Sequence, residues 1–144
     1  MVATSGARLL PEAAVSVLCK ELIPTTYLVT PNIPEAQLLL QEAGRSIPEV
    51  HDLQGLKLLA AAVHSLGPKF VLIKGGHLPL TSSRKVARTE DDRAIVVNVL
   101  YDGTRSEVVE LPYQNSRNTH GTGCTLACLQ ISRCFRSDSG LTDL

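Results

Sequence analysis

Tryptophan is absent from the chain, methionine occurs once, and aromatic side chains make up only 3% of it. Few flat rings are therefore available for bases to stack on. Neither sign of charge prevails: 14 Lys and Arg stand against 14 Asp and Glu, for a formal net charge of +0. Such a chain has no long-range field to draw in a phosphodiester backbone, so nucleic acid is not an expected partner. No apolar run is long enough to cross a bilayer, and no membrane association is expected. In "MVATSGARLLPEAAV", Glu12 stands where a signal peptide needs an apolar centre, so no targeting signal is expected. The four cysteines, Cys19, Cys124, Cys128 and Cys134, form no CxxC pair, which points to a reducing, cytoplasmic setting. Internal repeats and low-complexity tracts are also missing.

What is present is enough to fold. Hydrophobic residues make up 44% of 144 positions, sufficient for one domain with a core. "PEAAVSVLCKEL" (11–22) reads as a helix with Pro11 in its first turn and Ala14, Leu18 and Leu22 on its apolar face. "TTYLVT" (25–30) is a short β-branched run that predicts a buried strand. A second helix opens at Pro34 and stops at Gly44. A third is capped by Asp52, carries Leu53, Leu56, Ala60 and Val63 on one stripe, and ends at Gly67-Pro68. "FVLIKGG" (70–76) predicts a second buried strand. The polar stretch 77–93 reads as a surface loop, in which Arg84, Lys85, Arg88 and Arg93 are diluted by Glu90, Asp91 and Asp92. "AIVVNVLYDGTRSEVVEL" predicts a hairpin turning on the two residues Asp102-Gly103. A last helix follows "GTGC", and a polar tail ends the chain. Buried strands alternating with amphipathic helices indicate an α/β fold with a mainly parallel sheet.

Ligands of such sheets bind beyond the carboxyl ends of the strands. Three segments there carry chemistry: "TPNIPE", "KGGH" and "HGTGC". A glycine loop opening a helix exposes backbone N–H groups to an anion, and a thiol at Cys124 would share that positive field as a base. A tight turn with a buried cysteine accounts for GTGC equally well. Lys74, behind an apolar strand, can meet a phosphate as a point charge, although a lysine extending to solvent is the commoner case. Asn32 and Glu35 could hold the water shell of magnesium, but helix capping by Asn32 explains the pair more simply. His77 and His120 adjoin glycine turns and carry no assigned proton transfer. Cys124 and Cys128 lack partners at zinc spacing.

Taken in order, "VTPNIPEAQLLL", "VLIKGGHLP", "YDG" and "NTHGTGCTLA" resemble the second half of the hydroxymethylpyrimidine/phosphomethylpyrimidine kinases of thiamine biosynthesis. The resemblance covers residues 1–127; residues 128–144 form a tail that departs from the family. It implies part of a ribokinase-like fold, with a mostly parallel sheet flanked by helices and a β-hairpin. It implies phosphoryl transfer from ATP, with Mg²⁺, to 4-amino-5-hydroxymethyl-2-methylpyrimidine and its monophosphate. By the same resemblance Cys124 is the base. Gly121, Thr122 and Gly123 form the anion hole, Lys74 approaches the ATP phosphates, and Asn32 and Glu35 organise magnesium through water. Family members are commonly homodimers. The sequence offers no counterpart of the family's first half, whose glycine-rich segment and acidic residue hold the pyrimidine. The 144-residue chain alone is therefore expected to lack pyrimidine kinase activity. Three other readings stand beside the kinase: an inactive fragment that associates with a fuller kinase chain, a nucleotide-binding module, and a cysteine-type pyridoxal kinase.

Overall fold

The computed structural model describes residues 11–76 and 78–113. They form three α-helices and a four-stranded sheet, ordered α1 (Glu12–Val17), β1 (Leu28–Val29), α2 (Ile33–Glu42), α3 (Leu53–His64), β2 (Phe70–Lys74), β3 (Ile95–Tyr101) and β4 (Ser106–Pro112). No helix among the described residues is long and apolar enough to cross a membrane.

The strands lie side by side in the order β1-β2-β3-β4. β1 runs parallel to β2, whereas β2–β3 and β3–β4 are antiparallel. The α/β class and the hairpin are as expected, but the balance of directions within the described sheet is not. The expected parallel majority came from buried strands alternating with helices, a pattern that holds only as far as β2. Here β2 returns through the 77–93 stretch, which contains no helix among its described residues.

Alternation along the strands sorts the side chains onto two faces. Val71 and Ile73 of β2, with Val97 and Val99 of β3, meet Ile33, Ala36 and Leu40 of α2 and Leu56, Leu59, Ala60 and Val63 of α3. Leu40, Leu56, Leu59 and Ile73 are wholly buried, each contributing about 1.5–3 kcal/mol of transfer free energy. The opposite register carries Leu72, Lys74 and Asn98.

Both long helices begin and end as their sequences dictate. Asp52 caps α3 by accepting from the Gly55 N–H at 2.8 Å. α2 ends in a Schellman motif: Gly44 adopts φ +63°, its N–H reaches the Gln41 carbonyl at 3.1 Å, and the Arg45 N–H reaches Leu40 at 2.9 Å.

Four expectations need correction. The first helix spans the expected residues, but α1 passes into a π turn over Leu18–Leu22, and Pro11 is its N-cap rather than part of its first turn. Its buried stripe is Val15, Cys19 and Ile23, while Leu22 is 58% exposed. The stripe is set by packing against Leu38 and Leu39 of α2 and Leu66, one residue over from the most leucine-rich face. β1 is shorter than 25–30, because Ile23–Thr25 is a 3-10 turn and the Thr25 and Thr26 hydroxyls both donate to the Leu22 carbonyl. The 77–93 stretch is not simply a surface loop. Leu80 is wholly buried in the main core and bridges both Val86 and Ile95. Finally, the hairpin pairs Tyr101 with Ser106, so four residues, Asp102 to Arg105, make the connection. Asp102 Oδ1 accepts from the N–H groups of Thr104 and Arg105 at 2.7 and 2.6 Å, and Gly103 takes φ +95°.

Candidate functional site

The site is built where β1 and β2 end side by side. Their parallel pairing runs Leu28 to Phe70 and Val29 to Val71. It resumes past Pro31, where Asn32 bridges Lys74 and the Lys74 N–H donates to the Pro31 carbonyl at 2.9 Å. Pro31 has no N–H to lose, so a proline fits at this seam. The backbone thus brings the "TPNIPE" and "KGG" segments together at one strand edge, and with them Asn32, Glu35 and Lys74.

Asn32 and Glu35 form a reciprocal capping box at the start of α2. Asn32 Oδ1 accepts from the Glu35 N–H at 2.8 Å, and Glu35 Oε2 accepts from the Asn32 N–H at 3.0 Å. Glu35 also lies at the positive end of the helix dipole. Glu35 Oε1 and the second lone pair of Asn32 Oδ1 remain outside the box as acceptors. Among the described residues no group of three His, Cys, Asp or Glu could hold a metal directly. This donor set fits a magnesium ion that keeps its own waters and takes few protein ligands, not a caged one.

Lys74 is the last residue of β2, with a half-buried side chain behind the apolar run Phe70–Ile73. The chain then leaves the sheet. Gly75 is buried, and a Cβ there would meet the Val97 carbonyl oxygen, so only glycine fits so close to β3. Its N–H donates to Asn98 Oδ1 at 3.1 Å. The Leu78 N–H donates to the Gly75 carbonyl at 2.9 Å and closes the turn, while Gly76 is exposed.

Asn98 is the site residue that sequence reasoning missed. It is 3% exposed, and it is the Cα partner of Lys74 across the β2–β3 ladder. One signal could have found it: a lone amide inside the otherwise apolar "IVVNVL". Cys124, Gly121, Thr122 and Gly123 lie outside the described residues, as do His77, His120, the last helix and the tail.

The sequence model of the phosphomethylpyrimidine kinases matches residues 1–137. The chain belongs to the phosphomethylpyrimidine kinase family. Among its relatives, the Schizosaccharomyces pombe protein that carries the name hydroxymethylpyrimidine/phosphomethylpyrimidine kinase 2 is 46% identical over 127 residues, covering 88% of this chain and 23% of that one. The hydroxymethylpyrimidine/phosphomethylpyrimidine kinase of Bacillus subtilis is 36% identical over 139 residues, covering 96% of this chain and 45% of that one. The chain therefore spans less than half the length of these family members. The fold is shared with Bacillus subtilis pyridoxal kinase, solved as an ADP complex. That structure gives a TM-score of 0.60 at 29% identity, over 88% of this chain and 42% of that one. Kinases of this family and fold thus share the ribokinase-like layering of helices and sheet seen here.

Proposed function

We propose that the chain is the phosphate-handling half of a kinase acting on 4-amino-5-hydroxymethyl-2-methylpyrimidine and its monophosphate, with ATP as donor. The observation that carries this reading is the main-chain seam at Lys74, which brings a cationic side chain, a turn and the Asn32–Glu35 box to one strand edge.

In phosphoryl transfer the protein acts mainly by position and charge. The Lys74 ammonium offsets the negative charge on the transferring phosphates. By the family resemblance, Gly121, Thr122 and Gly123 would supply backbone N–H groups to a phosphoryl oxygen. Cys124 Sγ takes the proton of the substrate hydroxyl as that oxygen bonds to the γ-phosphorus and the bond to the β-phosphate oxygen breaks. Magnesium, when bound, would neutralise phosphate charge, and Glu35 Oε1 and the second lone pair of Asn32 Oδ1 are the acceptors available to its water shell. A cytoplasmic location goes with this reading, supported by cysteines without CxxC spacing.

Titration of the 144-residue chain with MgATP tests the reading. Saturable, magnesium-dependent binding that weakens about tenfold or more in Lys74→Met is expected, since one charged contact is at stake. No binding by the wild-type chain overturns it. Turnover separates the inactive-fragment reading from the active one. A chain that binds MgATP but phosphorylates no pyrimidine acts only alongside the rest of a kinase domain. The likeness to pyridoxal kinase makes pyridoxal the second acceptor to assay.

A further inference from the structure

The amide of Asn98 is placed in a way that packing alone does not explain. It sits inside β3, flanked by valines, on the sheet register shared with Leu72 and Lys74. Its oxygen accepts from the Gly75 N–H at 3.1 Å, and its nitrogen, Nδ2, is buried without a hydrogen-bond partner among the described residues. A buried, unpaired amide N–H is costly, and a valine or leucine here would avoid the cost. The retained feature is therefore the oxygen. The Gly75 N–H needs it, because beyond Lys74 the ladder gives way to a side-chain acceptor. Gly75 runs close against β3, where an added Cβ would meet the Val97 carbonyl oxygen.

We propose that Asn98 is a positioning residue of the phosphate site: its side-chain oxygen takes the place of a strand carbonyl and fixes the Gly75 turn, and through it Lys74. This rests on the phosphate-site reading above. The turn is held on three sides. Pro31 holds the Lys74 N–H, Asn98 holds the Gly75 N–H, and the Gly75 carbonyl accepts from Leu78. Pro31 alone would leave the chain free to pivot after Lys74. Asn98 removes that pivot, so the turn that carries the chain away from Lys74 is already set when a phosphate binds.

Asn98→Leu and Asn98→Asp separate the oxygen from the volume. Leucine fills the same space without an acceptor. Aspartate keeps an acceptor for Gly75 and removes the unpaired N–H. Two measurements are made on the 144-residue chain: hydrogen exchange at the Gly75 amide, and MgATP affinity. Gly75 protection is expected to fall at least about tenfold in Asn98→Leu and to be kept in Asn98→Asp. MgATP affinity is expected to fall about tenfold in Asn98→Leu, to stay within about threefold of wild type in Asn98→Asp, and to fall no further when Asn98→Leu is added to Lys74→Met. Protection at Gly75 that survives Asn98→Leu overturns the anchor. Lost protection with unchanged MgATP affinity overturns the positioning role. Loss of both in Asn98→Asp overturns the assignment to the oxygen. A wild-type chain that does not bind MgATP overturns the phosphate-site reading instead, and the exchange data still report on the anchor. If Asn98→Leu fails to fold, Asn98→Asp decides: kept protection and kept affinity support the proposal, and loss of either overturns it.

Discussion

Lys74 is joined to Pro31 through main-chain atoms, its N–H donating to the proline carbonyl at 2.9 Å, next to the bridge that pairs it with Asn32. The two segments with the most distinctive sequences, "TPNIPE" and "KGG", are therefore in register by backbone alone. Their side chains can be changed without unfastening the seam, which allows chemistry and scaffold to be tested apart.

Glu35 offers the first such test. Its role in the capping box needs only an acceptor, which glutamine supplies. Glu35→Gln is expected to unfold within about 0.5 kcal/mol of wild type, and Glu35→Ala to lose about 1 kcal/mol by urea titration. If Glu35 also serves magnesium, Glu35→Gln raises the magnesium concentration needed for ATP binding while stability stays put. Equal magnesium dependence in wild type and Glu35→Gln would reduce Glu35 to a cap.

The glycine pair after Lys74 is expected to be sharply unequal. A methyl at Gly75 meets the Val97 carbonyl oxygen, whereas one at Gly76 meets nothing within 4 Å. Gly75→Ala should destabilise the fold by about 2–4 kcal/mol and Gly76→Ala by less than about 0.5 kcal/mol. Similar unfolding midpoints for the two variants would count against this account of the turn.

Asp102 predicts how the hairpin responds to acid. The backbone N–H of Arg105, then that of Thr104, hold its carboxyl below the usual carboxylate range. Its pKa is thus lower folded than unfolded, where it is about 3.9. The contribution to stability is full above that unfolded value and fades as pH falls through the folded one. Asp102→Asn retains an acceptor that does not titrate. Thermal melts from about pH 6 to pH 2 should fall less steeply for Asp102→Asn than for wild type at the acid end. Parallel curves would show that the Asp102 charge contributes nothing.

Much of this was legible in the sequence, for reasons that are local. Asp52 and Gly44 cap helices by short-range hydrogen bonds and backbone conformation, so their residue types announce them. The Phe70–Ile73 run of β2 is apolar because it lies between β1 and β3 in the sheet. What escaped depends on distant partners. The stripe Val15, Cys19 and Ile23 is chosen by α2 and Leu66, not by the periodicity of residues 11–22 itself. Burial then raises the Cys19 thiol pKa, with Glu42 adding to the effect. Asn98 reads as an interruption in a strand until Gly75, 23 residues earlier, is seen to need its oxygen. For the candidate site, the residues alone left Asn32, Glu35 and Lys74 open, the family resemblance singled them out, and only the fold gives the main-chain bridge between Asn32 and Lys74.

Leu80 changes how the crossing from β2 to β3 should be regarded. A stretch that looks dispensable has a core side chain near its start, bridged to Val86 within the stretch and to Ile95 of β3. Anyone trimming or grafting this region would be excavating the interior as well as shortening a connection. The cost would appear as a melted sheet rather than as a missing loop.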